Sequence, residues 1–442
     1  MKFGRSVKSS MPGRAFFDRW SFAVIFATLV SFLFLPWGCS PVATTIPAPQ
    51  PPTEDRILPT YPAGESAPTL SPVPVKPIQT LTTTAGSSSP APSRSPVTRT
   101  TEPFTSWLND FEAYLEALAA KDQFSGAVLV ARDDETLLEV AYGLADRSLN
   151  LPNQIDTRFN LGSINKMFTA VAILQLVEQG KLSVDATIAE VLPDYPNHPV
   201  ANSVTVHQLL THTAGMGDCF TGEFFTTPAE QLKTVEGYLP LFVDKPLQFE
   251  PGTQYAYSNE GYMVLGLIIE EITGKSYFDY VQENIYAPSG MGNTDAFALD
   301  TSVPNLAIGY TTQDAEGNET GNLAENTALM PVKGTPAGGG YSTVRDLLRF
   351  RQALLGGQLL SPETTHDLLK GKVEIRDNVR YAYGFLDKMI AGQRVVGHGG
   401  NAPGVCDLMD MYLDHGSTLI VLSNSDNGCL LVREYLTENP LP

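Results

Sequence analysis

Cations and cysteine are both scarce in this chain of 442 residues, and each shortage closes off a class of function. Lysine and arginine number 29 against 48 aspartates and glutamates, a formal net charge of −19. Nucleic-acid binding needs clustered cations on phosphates, so no nucleic-acid partner is expected. The four cysteines, Cys39, Cys219, Cys406 and Cys429, are too few and too scattered for a disulfide scaffold or a thiolate metal site. One disulfide among the last three stays open, and the sequence does not choose the pair. Histidine is rare as well, six in all, with no H-E-x-x-H and no carboxylate at ligand spacing. His212, in Thr211-His212-Thr213-Ala214-Gly215, therefore reads as structural, tying down a loop. What is present, 43% hydrophobic and 17% charged residues, suffices for a sizeable core and for two or three domains by length.

The N-terminus reads as a targeting segment over residues 1–38. Lys2, Arg5, Lys8, Arg14 and Arg19 precede an apolar run from Phe22 to Leu35, then Pro36-Trp37-Gly38-Cys39. Gly38-Cys39 resembles a bacterial lipoprotein signal, although Pro36-Trp37 departs from it. A lipidated Cys39, a retained membrane anchor and a soluble exported form are the alternatives. Residues 39–103 hold fifteen of the 33 prolines, all from Pro41 to Pro103, with many Ser and Thr. That composition buries too little to offset the entropy of ordering and predicts a disordered tether. The expected location is the cell envelope, with a membrane tether at the N-terminus.

Folding sequence begins near Phe104. Trp107, Phe111, Tyr114, Leu115 and Leu118 predict an amphipathic helix over 104–121. Gly126–Arg132 and Thr136–Tyr142 predict a hairpin. Met167–Val177 is apolar almost all round and predicts a buried helix, with Ser163 and Lys166 in its first turn on one face. A lysine there needs a reason. Desolvation disfavours the ammonium, so a neutral Lys166 is suited to take a proton from Ser163. Further on, Tyr257 and Asn259 straddle Ser258 and precede an apolar helix from Tyr262 to Ile272. A phenol can relay a proton, and a carboxamide can orient both a lysine and a substrate amide. Ala337–Thr343 lacks the features of a phosphate loop and reads as a tight turn into a helix capped by Thr343. Near the C-terminus, strands flank Gly397-His398-Gly399-Gly400-Asn401, whose glycines leave a strand edge bare for a substrate backbone. An N–H there, that of Asn401, is placed to aim at an oxyanion.

Ser163-x-x-Lys166, Tyr257-x-Asn259 and His398-x-Gly400, in that order, resemble the penicillin-binding-protein and serine β-lactamase superfamily, in its class C-like branch. The resemblance covers about residues 104–437 and implies an α/β (α+β) fold. An antiparallel sheet, made by both ends of the domain and flanked by helices, adjoins a mostly helical subdomain, with the site between them. The domain is expected over 104–442. The resemblance also implies a mechanism without metal or organic cofactor. Ser163 attacks a carbonyl, Lys166 and Tyr257 shuttle the proton, and the N–H groups of Ser163 and Asn401 hold the oxyanion. Asn259, His398, Gly400 and Asn401 are the expected substrate-binding and oxyanion residues.

His398 stands where penicillin-binding enzymes carry a permanent cation, so recognition of a substrate carboxylate should weaken. If His398 had to be protonated to polarise Tyr257, activity would fall above neutral pH. The expected function is an exported serine hydrolase acting on an ester or amide: an esterase, a D-amino-acid peptidase or a D,D-carboxypeptidase, with peptidoglycan-derived peptide among the substrates. The alternatives are a catalytically idle sensing or binding domain, or a weak β-lactamase.

Overall fold

A computed structural model describes residues 102–315 and 317–442. The leader and tether expected over 1–103 lie outside the described residues, except for the last two positions, which open the first helix.

Alternating apolar positions build one antiparallel sheet of eight strands. From the N-terminal end come β1 (Gly126–Arg132) and β2 (Glu135–Tyr142), after helix α1 (Glu102–Ala119). From the C-terminal end come β3 (Val373–Arg376), β4 (Val379–Tyr381), β5 (Leu386–Ile390), β6 (Gln393–Ala402), β7 (Val405–Tyr412) and β8 (Ser417–Ser423). The strand order is β2-β1-β8-β7-β6-β5-β4-β3. Strands from the two ends of the domain meet where β1 pairs with β8, from Gly126 opposite Ser423 to Arg132 opposite Ser417.

Because side chains alternate across a strand, the sheet has two apolar faces. Val128, Val130, Leu419 and Val421 pack under α1 and the C-terminal helix Gly428–Glu438. Ala127, Leu129, Ile420 and Leu422 face the other way, into the larger core shared with the helical part. Burying one such aliphatic side chain is worth roughly 1.5–3 kcal/mol. The helical part supplies α2 (Asn165–Glu178) and α3 (Asn259–Thr273), which pack together, and a further helix at Val344–Leu355 lies against the sheet. Every residue of α2 from Asn165 to Leu176 is buried, as a helix that is apolar all round requires.

The expected mixed fold, with strands at both ends and helices between, is the observed one. Several boundaries moved for local reasons. The strand β5 starts only at Leu386, because Gly384 turns at φ +73° against α2. A Cβ on Gly384 would stand 2.6 Å from the Ala170 side chain and 2.8 Å from the Lys166 carbonyl oxygen. The hairpin pairing Tyr310–Gln313 with Glu319–Glu325 was not anticipated, since its second strand is exposed along its whole length and carries no apolar alternation. The disulfide joins Cys406 on β7 to Cys429 on the C-terminal helix, leaving Cys219 free and buried.

Candidate active site

The nucleophile turn is shaped by backbone proximity. Gly162 sits at φ +46°, and the Asn160 carboxamide oxygen accepts its N–H at 2.9 Å. A tight 3-10 turn, Gly162–Ile164, precedes α2, so Ser163 lies just before the α-helix rather than in its first turn. Neither helix start uses a side-chain cap, so the Ser163 hydroxyl is not consumed there. A Cβ on Gly162 would come within 2.9 Å of the Asn401 amide nitrogen, which brings β6 directly against the turn.

Three stretches of chain meet at Ser163: Lys166 from its own helix, Tyr257 and Asn259 from a second stretch, and the Ala337 carbonyl from a third. Lys166, wholly buried, places Nζ 3.2 Å from Ser163 Oγ, 2.7 Å from Asn259 Oδ1 and 2.5 Å from the Ala337 carbonyl oxygen. Burial pulls the Lys166 pKa down to about 7, against an upward pull from the Asp218 carboxylate. A neutral amine has two hydrogens and one lone pair. Asn259 Oδ1 and the Ala337 carbonyl can only accept, so they take both hydrogens and the lone pair is left for the Ser163 hydroxyl. Tyr257 donates its hydroxyl to Ser163 Oγ at 2.7 Å. Burial pushes the Tyr257 phenol up, with the Ser163 hydrogen bond opposing. Tyr257 is 40% exposed, so water screens part of that push, and the phenol holds its proton at neutral pH.

Asn259 opens α3 and is oriented by a residue that sequence reasoning missed. Its Nδ2 donates to Asp218 Oδ1 at 3.0 Å, which turns Oδ1 toward Lys166. No spacing rule links Asp218 to the motif residues, so only the fold reveals it. The Ala337 carbonyl was missed as well, because the glycine-rich stretch was read as a turn alone. Thr343 does cap the helix that follows, accepting the Asp346 N–H at 3.1 Å.

His398 and Gly400 do not sit where a substrate contact was expected. The His398 ring is 4% exposed, with Nδ1 2.6 Å from the Gly399 carbonyl oxygen and Nε2 3.0 Å from the Tyr381 hydroxyl. A carbonyl only accepts, so Nδ1 carries the proton and Nε2 accepts from Tyr381. Burial, with the nearby Lys166 charge, lowers the His398 pKa to about 3. A protonated His398 polarising Tyr257 is therefore not available, and activity is not expected to fall above neutrality for that reason. Gly400 is buried beneath the nucleophile turn, where a Cβ would lie 2.2 Å from the Leu161 carbonyl oxygen and 2.8 Å from Asp407 Oδ2. Its smallness lets β6 reach Ser163. Asn401 remains exposed beside the turn, and from His398 to Ala402 β6 pairs with β7 but not with β5.

Ser163, Asn259 and Asn401 open onto a cleft of about 370 Å³. Phe220, Phe225, Leu329 and Met330 give it an apolar wall, and its charged lining residues among those described are Asp218 and Asp314. Among the described residues neither lysine nor arginine lines it. Among the described residues no cluster of His, Cys, Asp or Glu is placed to hold a metal ion.

Comparison with known proteins shows what the chain is similar to. The family model described as Beta-lactamase matches residues 111–436. Penicillin-binding protein 4* of Bacillus subtilis (strain 168) is 31% identical over 329 residues, 71% of either chain. Esterase EstB of Burkholderia gladioli is 29% identical over 279 residues, 57% of this chain and 71% of its own. The crystal structure of a penicillin binding protein from Bacillus halodurans superposes with a TM-score of 0.67 at 32% identity, covering 74% of this chain and 99% of that one.

Proposed function

The chain belongs to the beta-lactamase family and is a serine hydrolase, and on that premise we propose that Ser163 forms an acyl-enzyme with small esters or amides that lack a carboxylate beside the scissile bond. The observation that carries the reading is the accounting of hydrogens at Lys166, which leaves its lone pair facing the Ser163 hydroxyl.

The Ser163 hydroxyl loses its proton to Lys166 as its oxygen bonds to the substrate carbonyl carbon. The N–H groups of Ser163 and Asn401 receive the oxyanion. As the tetrahedral adduct collapses, Tyr257 gives its proton to the leaving oxygen or nitrogen, and the Lys166 ammonium restores it. Water, giving its proton to the neutral Lys166 amine, then attacks the acyl carbonyl, and Ser163 leaves with that proton returned.

Substrate choice follows from charge. A carboxylate would enter a cleft whose described lining holds two aspartates and no lysine or arginine, losing its water without a partner. This favours ester and uncharged or amine-bearing amide substrates over β-lactams and D,D-peptides ending in a free carboxylate. Relatives named as an esterase and as penicillin-binding proteins span that range of chemistry.

Export is part of the proposal. The basic and apolar leader supports it, and so does the Cys406–Cys429 disulfide, since such bonds persist in oxidising compartments. Membrane tethering through Cys39 would be read by mass spectrometry of the mature N-terminus.

A fluorescent fluorophosphonate tests the nucleophile. Wild type should label and Ser163→Ala should not; equal labelling would remove Ser163 from the mechanism, and no labelling of either would favour an idle domain. A panel of p-nitrophenyl butyrate, D-alanine p-nitroanilide, D-Ala-D-Ala peptide and nitrocefin then ranks substrates, with the two carboxylate-bearing compounds expected last.

A further inference from the structure

One buried side chain outside the reacting set grips the Tyr257 segment at three points. His212 follows the short helix Val206–Leu210 and is wholly buried. Its carbonyl oxygen accepts the Ala256 N–H at 3.0 Å, and its ring Nδ1 accepts the Ser258 N–H at 3.1 Å. These are the amides on either side of Tyr257. The imidazole itself lies against the Tyr257 ring, 4.3 Å between centroids at 38°.

The tautomer follows from these bonds. Nδ1 accepts from a backbone N–H, so Nε2 carries the hydrogen. Nε2 is buried with no hydrogen-bond partner, and the rings of Tyr381 and Tyr262 stand 4.4 and 5.1 Å from the imidazole. An N–H directed at an aromatic face is weakly favourable. Burial holds the imidazole well below its ordinary pKa, so it stays neutral.

A ring that merely filled space would not need this backbone. His212 sits at φ +59°, the left-handed region that few side chains adopt and that histidine, with Asn and Asp, enters more readily than most. The turn brings both its carbonyl and its Nδ1 to bear on the same three residues. We propose that His212 is the positioning residue for Tyr257, fixing the phenol on Ser163 by holding both flanking amides and one face of the ring. This rests on the assignment of Ser163 and Tyr257 as reacting groups.

The test uses the full-length protein with p-nitrophenyl butyrate and three substitutions. His212→Asn retains an acceptor near the Nδ1 position and tolerates positive φ, but loses the ring. His212→Leu loses both. Tyr257→Phe provides the background in which positioning of the hydroxyl no longer matters. His212→Leu should lower kcat by about 10²-fold with KM within about 2-fold, since a misplaced proton relay forfeits that order of rate. His212→Asn should recover at least about 10-fold of that loss. In Tyr257→Phe, adding His212→Asn should change kcat by less than about 2-fold, although it costs wild type several-fold, because groups acting as a unit are not additive. Should His212→Leu fail to fold, the comparison of His212→Asn in the two backgrounds decides alone. Equal losses in both would overturn the positioning role, as would a rise in KM at unchanged kcat. A Tyr257→Phe enzyme with undiminished kcat would overturn the assignment of Tyr257 instead, and fluorophosphonate labelling tests Ser163 separately.

Discussion

Lys166 and His398 are both buried bases within one site, and their burial has opposite consequences. For Lys166, desolvation lowers the pKa to about 7 and makes a proton acceptor of a group that would otherwise be a fixed cation. For His398, the same effect holds a neutral ring whose nitrogens are both engaged. The sign of the pH dependence follows from Lys166. The base must be unprotonated, so kcat/KM should rise with pH through about 7 and stay level to about pH 9. Neutralising Asp218 removes an upward pull on Lys166, so Asp218→Asn should move the acid limb to lower pH. A pH series of kcat/KM for both proteins measures the shift. An unmoved limb would separate Asp218 from the base. Lys166→Arg should lose at least about 10²-fold in kcat, since a guanidinium does not give up its proton at these pH values. At this scale Ser163, Lys166, Tyr257 and Asn259 were singled out by the order of their motifs and the family it resembles, and the structure brings them together. Asp218 and the engagement of His398 were not legible in the sequence, because each depends on which polar atoms distant segments bring within 3 Å or so.

Elements put the pieces of the site in register. The strand β6 runs unbroken through Gly397-His398-Gly399-Gly400, where the sequence suggested a strand that stopped at the glycines. Glycine there serves approach, not flexibility. Gly400→Ala would drive a methyl into the Leu161 carbonyl and Asp407, displacing β6 from the nucleophile turn. Activity should fall by about 10²-fold or more, the usual effect of losing an oxyanion donor, while circular dichroism stays near wild type. Full activity in that variant would mean that the turn and the strand are not held together as described. The disulfide ties β7, the partner strand of β6, to the C-terminal helix across a separation of 23 residues. Reducing it, or the Cys429→Ser substitution, should lower stability by about 2–4 kcal/mol, read as a lower Tm and urea midpoint. The pair could not be chosen from sequence because spacing says nothing about which helix lies over which strand. The exposed strand Glu319–Glu325 escaped notice for a related reason: a strand with no buried face leaves no alternation to read.

Across the whole molecule, two apolar layers on one sheet account for why the domain was readable at all. Strands from both ends pair through β1 and β8, so residues 102–442 close on themselves. A protein truncated to these residues should fold and keep kcat within about 2-fold, since every residue placed at the site lies at Asn160 or beyond; kinetics of the truncated and full-length proteins compare directly. A large loss would give residues 1–101 a part in the site. Composition limited the partners, and patterning gave the layers. The substrate was not legible in the same way, because it depends on the two aspartates and the apolar wall that separate loops bring to one cleft.

The account depends on an amine made neutral by burial. Lysine labelled with ¹³C at Cε, with the Lys166 signal assigned through Lys166→Arg, can be titrated by NMR in the folded protein. A midpoint near pH 7 is the result predicted here; a midpoint at the ordinary lysine value of about 10.4 would contradict the mechanism at its base.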